Sequence, residues 1–414
     1  MNEGAEALRK LASEVSRSAA VLHAVGGQRR ARWLADAFAQ LSRADSELGR
    51  EARTLLAQGS GLTEPMVEWA LESALAPLTF EALSELERSP PPPHPGAVRV
   101  APGQLCVVVL AGNVVTGAAR AVGWPLLFGW PVLAKASSGD DTLARLLEAA
   151  LAEGDPELAS AYRTVTYPAG QDSLNHALFE QADAVSVYGS DATVNALRAE
   201  LGATVSFMAH GNGLGVAFLG RAALATQEDA QLLARALALD VAAYDQRGCL
   251  SPHTAWVQHG GHVSPEQFAE LVHGELALLG TTLPRGPLPR PHAAAQLSWR
   301  GVGSVRGSLF EGDGFAVSYE DDGPLRVSPG YRNLQVLGID APQALGPKLA
   351  PLGVHLKCLA YAGIPPSELL DVLPTRLAPR LCPLGHMQRP PVNALHDGLP
   401  AWEGLLRWAD CPPQ

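Results

Sequence analysis

The chain has 414 residues, 47% of them hydrophobic and 18% charged, and a net charge of −11. That length exceeds one ordinary core and points to two domains of globular, not disordered, composition. An acidic chain without a broad basic surface excludes nucleic acid as an expected partner.

Five scattered cysteines, Cys106, Cys249, Cys358, Cys382 and Cys411, show no CxxC spacing. This argues against a disulfide framework and a structural zinc site, and fits a reducing cytoplasm. The opening MNEGAEALRKLASEV lacks the apolar core of a signal peptide. No apolar run reaches the roughly 20 residues that span a bilayer, so a cytoplasmic protein without stable membrane insertion is expected. Only four lysines occur: Lys10, Lys135, Lys348 and Lys357.

Residues 5–90 read as helices, with Leu8, Leu11, Val15 and Leu22 on one face. Trp69, Leu71 and Phe80 fit a core, with an acyl channel as the alternative. The run SPPPPHPG at 89–96 is a break that no helix crosses. Then the pattern changes. QLCVVVL is a buried strand ending at AGN, and ARAVGWPLLFG is a helix. PVLAKAS, YRTVTYPAG and ADAVSVYG are strands, separated by the helices DDTLARLLEAALAEG and QDSLNHALFEQ. SDATVNALRAELG is a helix, followed by the strands ATVSFMA and GLGVAFLG. Such alternation predicts a doubly wound parallel sheet, with ligands at the C-terminal strand ends. Gly112–Asn113, Lys135 to Ser138 and Gly189–Ser190 therefore face one crevice. Residues 226–246 read as one long helix before the turn at Cys249 and the strand TAWVQ. The helix SPEQFAELVHGELALLG and strands near 315–320 and 334–339 continue an α/β pattern to about 380. PHAAAQLSWRGVGSVRG fits neither period clearly, and the tail is rich in proline.

A free cysteine is ordinarily a small buried hydrophobe. Cys249 instead lies in the polar, Gly-flanked DQRGCLSPH, at a helix-to-strand junction where a substrate can approach. Around it the sequence resembles the aldehyde dehydrogenase superfamily. LAGNVVTGAARAVGWPLLFGWPVLAKASS resembles that family's strand, Asn loop, helix and Lys strand. VTYPAG, VYGSDATVNALRAEL and DQRGCLSPHTAWVQ follow in the family's order across about 105 to 260. Within the superfamily the chain is most similar to bacterial fatty acyl-CoA reductases that supply aldehyde for bioluminescence. The AGN motif, the DQRGC loop, the helical N-terminus and PLGHMQRPPVNALHDG carry that likeness.

The resemblance implies two doubly wound α/β domains with a helical N-terminal extension and a short C-terminal oligomerisation segment. The expected divisions are a helical region at 1–88, a nucleotide-binding domain at 97–223, a catalytic domain at 224–380 and a tail at 381–414. It implies Cys249 as nucleophile, with the Asn113 amide and the Cys249 backbone N–H on the oxyanion. Lys135 would meet the adenosine ribose, with Ser137 and Ser138 beside it and Gly189 and Ser190 near the pyrophosphate or nicotinamide. Many NAD-preferring members carry Glu where Ser138 stands. A serine does not repel a 2′-phosphate, so NADPH is expected, with NADH as the alternative. Asp140 and Asp141 are read as caps of the following helix.

His253 and His396 are the candidate acid–base groups, and no metal is expected. The GNGLG at 211–215 precedes a strand and so fails the dinucleotide test; it is read as a tight turn. In VSFMAHGNGLG, Met208 occupies the position of the family's water-activating Glu, with Phe207 or Ala209 one register away. Near VSPGYRNLQVLG, Arg332 and Asn333 replace the carboxylate that grips the nicotinamide ribose. The expected substrate is an acyl-CoA or carrier-protein acyl thioester, reduced to an aldehyde. A hydrolytic aldehyde dehydrogenase and a degenerate scaffold are the alternatives. A homo-oligomer is expected, with a β-hairpin after the proline run and the C-terminal strand as contacts.

Overall fold

The computed structural model describes residues 3–375 and 377–411. Six helices come first: α1 (Glu3–Arg17), α2 (Ala19–Ala24), α3 (Gly27–Ser42), α4 (Glu47–Gly59), α5 (Glu64–Leu75) and α6 (Phe80–Arg88). The proline run leads into β1 (Ala97–Val100). The first α/β unit follows as β2 (Cys106–Val109), α7 (Gly117–Leu127), β3 (Val132–Ala136) and α8 (Thr142–Gly154). It continues with β4 (Tyr162–Thr166), α9 (Asp172–Phe179), β5 (Ala184–Tyr188), α10 (Asp191–Ala199) and β6 (Ser206–His210).

These strands form a five-stranded parallel sheet in the order β4-β3-β2-β5-β6. Both faces are covered, and the side chains sort by the two-residue period of a strand. Cys106 and Val108 enter the core shared with α3, α7 and α8, whereas Leu105, Val107 and Val109 enter the core shared with α1 and α9. The strand order reverses between β2 and β5, which puts a ligand crevice beyond their C-terminal ends.

The second unit begins one strand earlier than expected. β7 (Leu214–Leu219) does not close the first sheet but lies inside a seven-stranded one, between β12 and β8. Its residues are buried on both faces, so only a central position satisfies it. The chain passes between the sheets at Gly211–Gly213, ahead of the boundary expected at 223. The unit continues with α11 (Gln227–Ala242), β8 (Pro252–Gln258), α12 (Pro265–Thr282), α13 (Arg290–Arg306), β9 (Ser308–Gly312), β10 (Phe315–Glu320) and β11 (Asn333–Ile339). It ends with α14 (Leu345–Leu349), β12 (Leu356–Ala362), α15 (Pro366–Val372) and β13 (Arg380–Pro383). The order is β13-β12-β7-β8-β11-β10-β9, parallel throughout except for the edge pair β10–β9. α11 and α12 cover one face; residues of α14 and α15 lie in the core on the other.

Three sequence readings change. PHAAAQLSWRGVGSVRG is helix α13, whose Gln296, Trp299 and Gly303 turn inward, while glycines and prolines mask its period. The long helix at 226–246 stops at Ala242. No hairpin follows the proline run: β1 pairs antiparallel with β14 (Arg407–Asp410), the far end of the same chain. Among the described residues no helix is long and apolar enough to cross a membrane.

Candidate functional site

Cys249 sits in a turn closed by Ser251 N–H donating to Gly248 O at 3.0 Å, just before β8. The backbone leading into it is unusual. Tyr244, Asp245 and Gln246 take φ of +53°, +52° and +59°, three consecutive non-glycine residues in the left-handed region. Each costs on the order of 1–3 kcal/mol and persists only where the surroundings impose it. Here they do. Asp245 forms a buried ion pair with Arg332 at 2.8 Å and accepts from Gly286 N–H at 2.9 Å. Gln246 donates to Pro252 O and Asn333 O at 2.7 and 2.8 Å, and accepts from Asn333 N–H. The Tyr244 hydroxyl bonds Thr116 at 2.9 Å, its ring meets Trp69 edge-on, and its N–H points at Met66 Sδ. Arg247 donates to Ser60 O at 2.9 Å. The N-terminal helices therefore brace the Cys249 loop from below. Arg332 and Asn333 lock it from the side; neither is left to grip a ribose.

Opposite stands the C-terminal edge of the first sheet. Asn113, beyond β2, crosses to the Cys249 loop: its Nδ2 donates to Arg247 O at 3.0 Å. Lys135, near the end of β3, is half-buried, and burial lowers its pKa. Its Nζ lies 5.2 Å from the Tyr167 ring centre, and among the described residues it has no ion pair. Ser137 accepts from Gly139 N–H at 3.2 Å, and Ser138 is exposed. A Cβ on Gly112 would come within 2.7 Å of Ser137 Oγ, so only glycine lets the β2 and β3 loops approach this closely.

The two acidic neighbours point elsewhere. Asp140 accepts from Thr142 N–H at the start of α8, and Asp141 holds Arg145 and Thr166 instead of capping. Gly189 donates to His210 O at 3.1 Å, and Ser190 caps α10 through Thr193 N–H. Asp191, in the same first turn, accepts from Asn212 N–H and pairs with His355 at 2.8 Å. That carboxylate competes with a phosphate at α10. Lys135, without an ion pair among the described residues, stands beside Ser137 and the exposed Ser138, a setting that suits a polyhydroxyl or anionic group better than the α10 turn does.

The third wall is the tail. Asp240, near the end of α11, accepts from Gly385 and Met387 N–H at 2.6 and 3.0 Å. Gln388 donates to Ser251 Oγ, and Arg120 from α7 donates to Pro390 O and Pro391 O. The tail so tied carries His396 onto His210, their rings parallel within 1° and 4.2 Å apart. His210 in turn stacks on Tyr188 at 4.3 Å, its register partner across β5 and β6. Asp397, at φ +54°, pairs with Lys357 at 2.7 Å.

Burial, then the neighbouring His396 and Lys357, push His210 down to about 3; burial also lowers His396, against the pull of Asp397. His253 is lowered to about 4 by burial and directs Nδ1 at Ser328 Oγ, 2.9 Å away. Of the two candidate acid–base groups, His396 stands in the cluster at the site, and His253 is tied to the Ser328 loop. Burial and Asp397 raise the Cys249 thiol pKa, while Lys357 lowers it.

Ligand-capable atoms of His210, His396 and Asp397 lie within 4.8 Å of one another, an assembly invisible in the sequence spacing. The parallel rings do not aim their lone pairs at one point, and Asp397 is engaged by Lys357, so no ion is assigned there. Met208 shares the face of β6 with His210 and lies against Gly404, so that position supplies no carboxylate. Sequence reasoning missed Lys357, His210 and Asp240. The scarcity of lysine was the one signal available.

The fold is shared with solved structures. An NAD-dependent aldehyde dehydrogenase from Sinorhizobium meliloti matches with a TM-score of 0.72 at 15% identity, covering 98% of this chain and 86% of that one. A succinate-semialdehyde dehydrogenase from Burkholderia pseudomallei matches at 0.73 and 13% identity, covering 98% and 89%. The bifunctional proline utilization A protein matches at 0.71 and 16% identity over 92% of this chain, which spans 40% of that longer protein. No curated protein matches the chain. The family model described as acyl-CoA reductase (LuxC) matches residues 34–408. With that match across nearly the whole chain, the protein belongs to the LuxC acyl-CoA reductase family.

Proposed function

We propose that this protein reduces an acyl thioester, acyl-CoA or a carrier-bound acyl group, to the aldehyde through a covalent thioester on Cys249. The observation that carries this reading is the Asn113 amide reaching the Cys249 loop at Arg247 O while β6 offers Met208 where hydrolysis would need a carboxylate. As thiolate, Cys249 attacks the acyl carbonyl and expels the carrier thiolate, which takes up a proton. Asn113 Nδ2 and the Cys249 N–H are the donors for the oxyanion, typically about 3 kcal/mol each on the barrier. Without a base to activate water, the thioester persists until it is reduced. A nicotinamide cofactor, when bound, would supply the hydride needed to take the acyl carbon to the aldehyde level, and Cys249 would leave as the thiolate. Lys135, Ser137 and Ser138 would hold its adenosine end. An exposed serine at 138, where a carboxylate would repel a 2′-phosphate, favours NADPH over NADH.

The test follows NADPH oxidation with a panel of acyl-CoAs for the wild type and Cys249→Ala. Oxidation by the wild type alone, with aldehyde recovered, is expected. Conversion of aldehyde to free acid without CoA, and no oxidation with any acyl-CoA, would overturn the reading.

A further inference from the structure

Lys357 belongs to none of the sequence motifs, yet the fold makes room for it. It is one of four lysines in the chain, and its side chain is only 8% exposed. Its stem lies across Gly213, where a Cβ would overlap Lys357 Cγ, so the glycine of the β6–β7 turn is the space it occupies. β12, β7 and β8 are consecutive parallel neighbours, so Lys357 and the Cys249 turn leave the same edge of the sheet two strands apart.

Asp397 arrives from the opposite side on the tail, in a left-handed turn continued by Gly398 at φ +79°. The other titratable groups facing the pair are Tyr188 from β5, His210 from β6 and His396. Asp191, beside the ion-paired His355, also feels Lys357. A buried ion pair adds little to stability over a well-packed apolar pair. Its place on the sheet edge that carries the Cys249 turn gives it a different use.

We propose that the Lys357–Asp397 pair is the electrostatic control on Cys249, Lys357 favouring the thiolate and Asp397 opposing it. The inference rests on reading Cys249 as the reactive thiol. Only one bond changes when the thiol ionises: the S–H proton passes to water. The two members of the pair act on the remaining charge with opposite signs.

Peptide-resolved mass spectrometry reads Cys249 alkylation by iodoacetamide against pH in the full chain. Lys357→Met raises the midpoint of the profile and slows alkylation below it by about tenfold. Asp397→Asn lowers the midpoint and speeds alkylation by a similar factor, and Lys357→Arg stays near the wild type. The double variant Lys357→Met/Asp397→Asn falls between the singles. It also removes both charges, so no unpaired one is left to unfold the site. Generalised loosening would move both single variants the same way. Shifts of one sign in both, or an unchanged midpoint in Lys357→Met, would overturn the proposal. If the opposite shifts appear in a protein that reduces no acyl-CoA, the control stands and the reaction assignment fails instead.

Discussion

Asp245 and Arg332 have relative exposures of 1% and 2%, one on each side of the Cys249 loop, and their ion pair holds a backbone that would otherwise relax. Removing one member of such a pair leaves the other charge without compensation, which typically costs about 3–5 kcal/mol. Arg332→Met should therefore lower the unfolding free energy by about that amount in denaturant titration, and acyl transfer should fall with it. A loss below about 1 kcal/mol would mean that the left-handed run is held by Gln246 and Asn333 alone. At this scale the sequence was legible where a local motif surrounds the residue. Cys249 and Asn113 were singled out that way, and the structure brings Asn113 to the Cys249 loop at Arg247 O. Arg332 was found but given a missing role, because its true partner lies 87 residues away and no local pattern encodes it. Lys357, His210 and Asp240 were invisible for the same reason: their meaning comes from the tail.

The tail is the element that completes the site. Among the described residues its only regular piece before β14 is the short β13, so its position depends on Asp240, Arg380 and Arg120 reaching its backbone and on Gln388 donating to Ser251 Oγ. Backbone groups without a ladder must find partners elsewhere, and here the second unit and α7 provide them. Asp240→Ala removes the acceptor of two tail N–H groups. Hydrogen exchange at Gly385 and Met387 should accelerate by an order of magnitude or more, on a cost of about 1–3 kcal/mol for each unsatisfied donor. Exchange should stay slow in β7 and β8; acceleration there as well would mean that Asp240 supports the whole sheet and not the tail alone. The long amphipathic helices and the buried parallel strands of the first unit were legible, because their periods are strong. α13 was obscured by glycine and proline, and β1, β9 and β14 are short edge strands without a buried face to set their pattern.

For the molecule as a whole, the arrangement that matters is the C-terminal edge of one parallel sheet facing the N-terminal edge of the other. The rule that ligands gather at C-terminal strand ends points to an edge of the first unit and does not reach the second, where Cys249 precedes its strand. The crossing at Gly211–Gly213 was unreadable because β6 and β7 are both strands separated by three residues, with nothing local to show that they join different sheets.

This packing also determines how stability responds to acid. His210 and His253 are held neutral in the fold, with pKa values lowered to about 3 and about 4, while the unfolded chain titrates near the ordinary 6.5. Their contribution is complete above pH 6.5 and is lost as pH falls below it, since only the unfolded state takes up the protons. By linkage each loses about 2 kcal/mol by pH 5. Asp240 acts oppositely. Burial raises its pKa to about 7, so the folded state binds its proton first and stability rises as pH falls through that value, by roughly 2–3 kcal/mol at pH 5. The wild type should therefore lose only about 1–2 kcal/mol between pH 8 and pH 5. Asp240→Asn, which keeps an acceptor but cannot titrate, should lose about 4 kcal/mol over the same range. Urea unfolding at both pH values measures the difference directly. A variant with the same slope as the wild type would show that Asp240 titrates as an ordinary carboxylate and that the histidines alone set the acid limit.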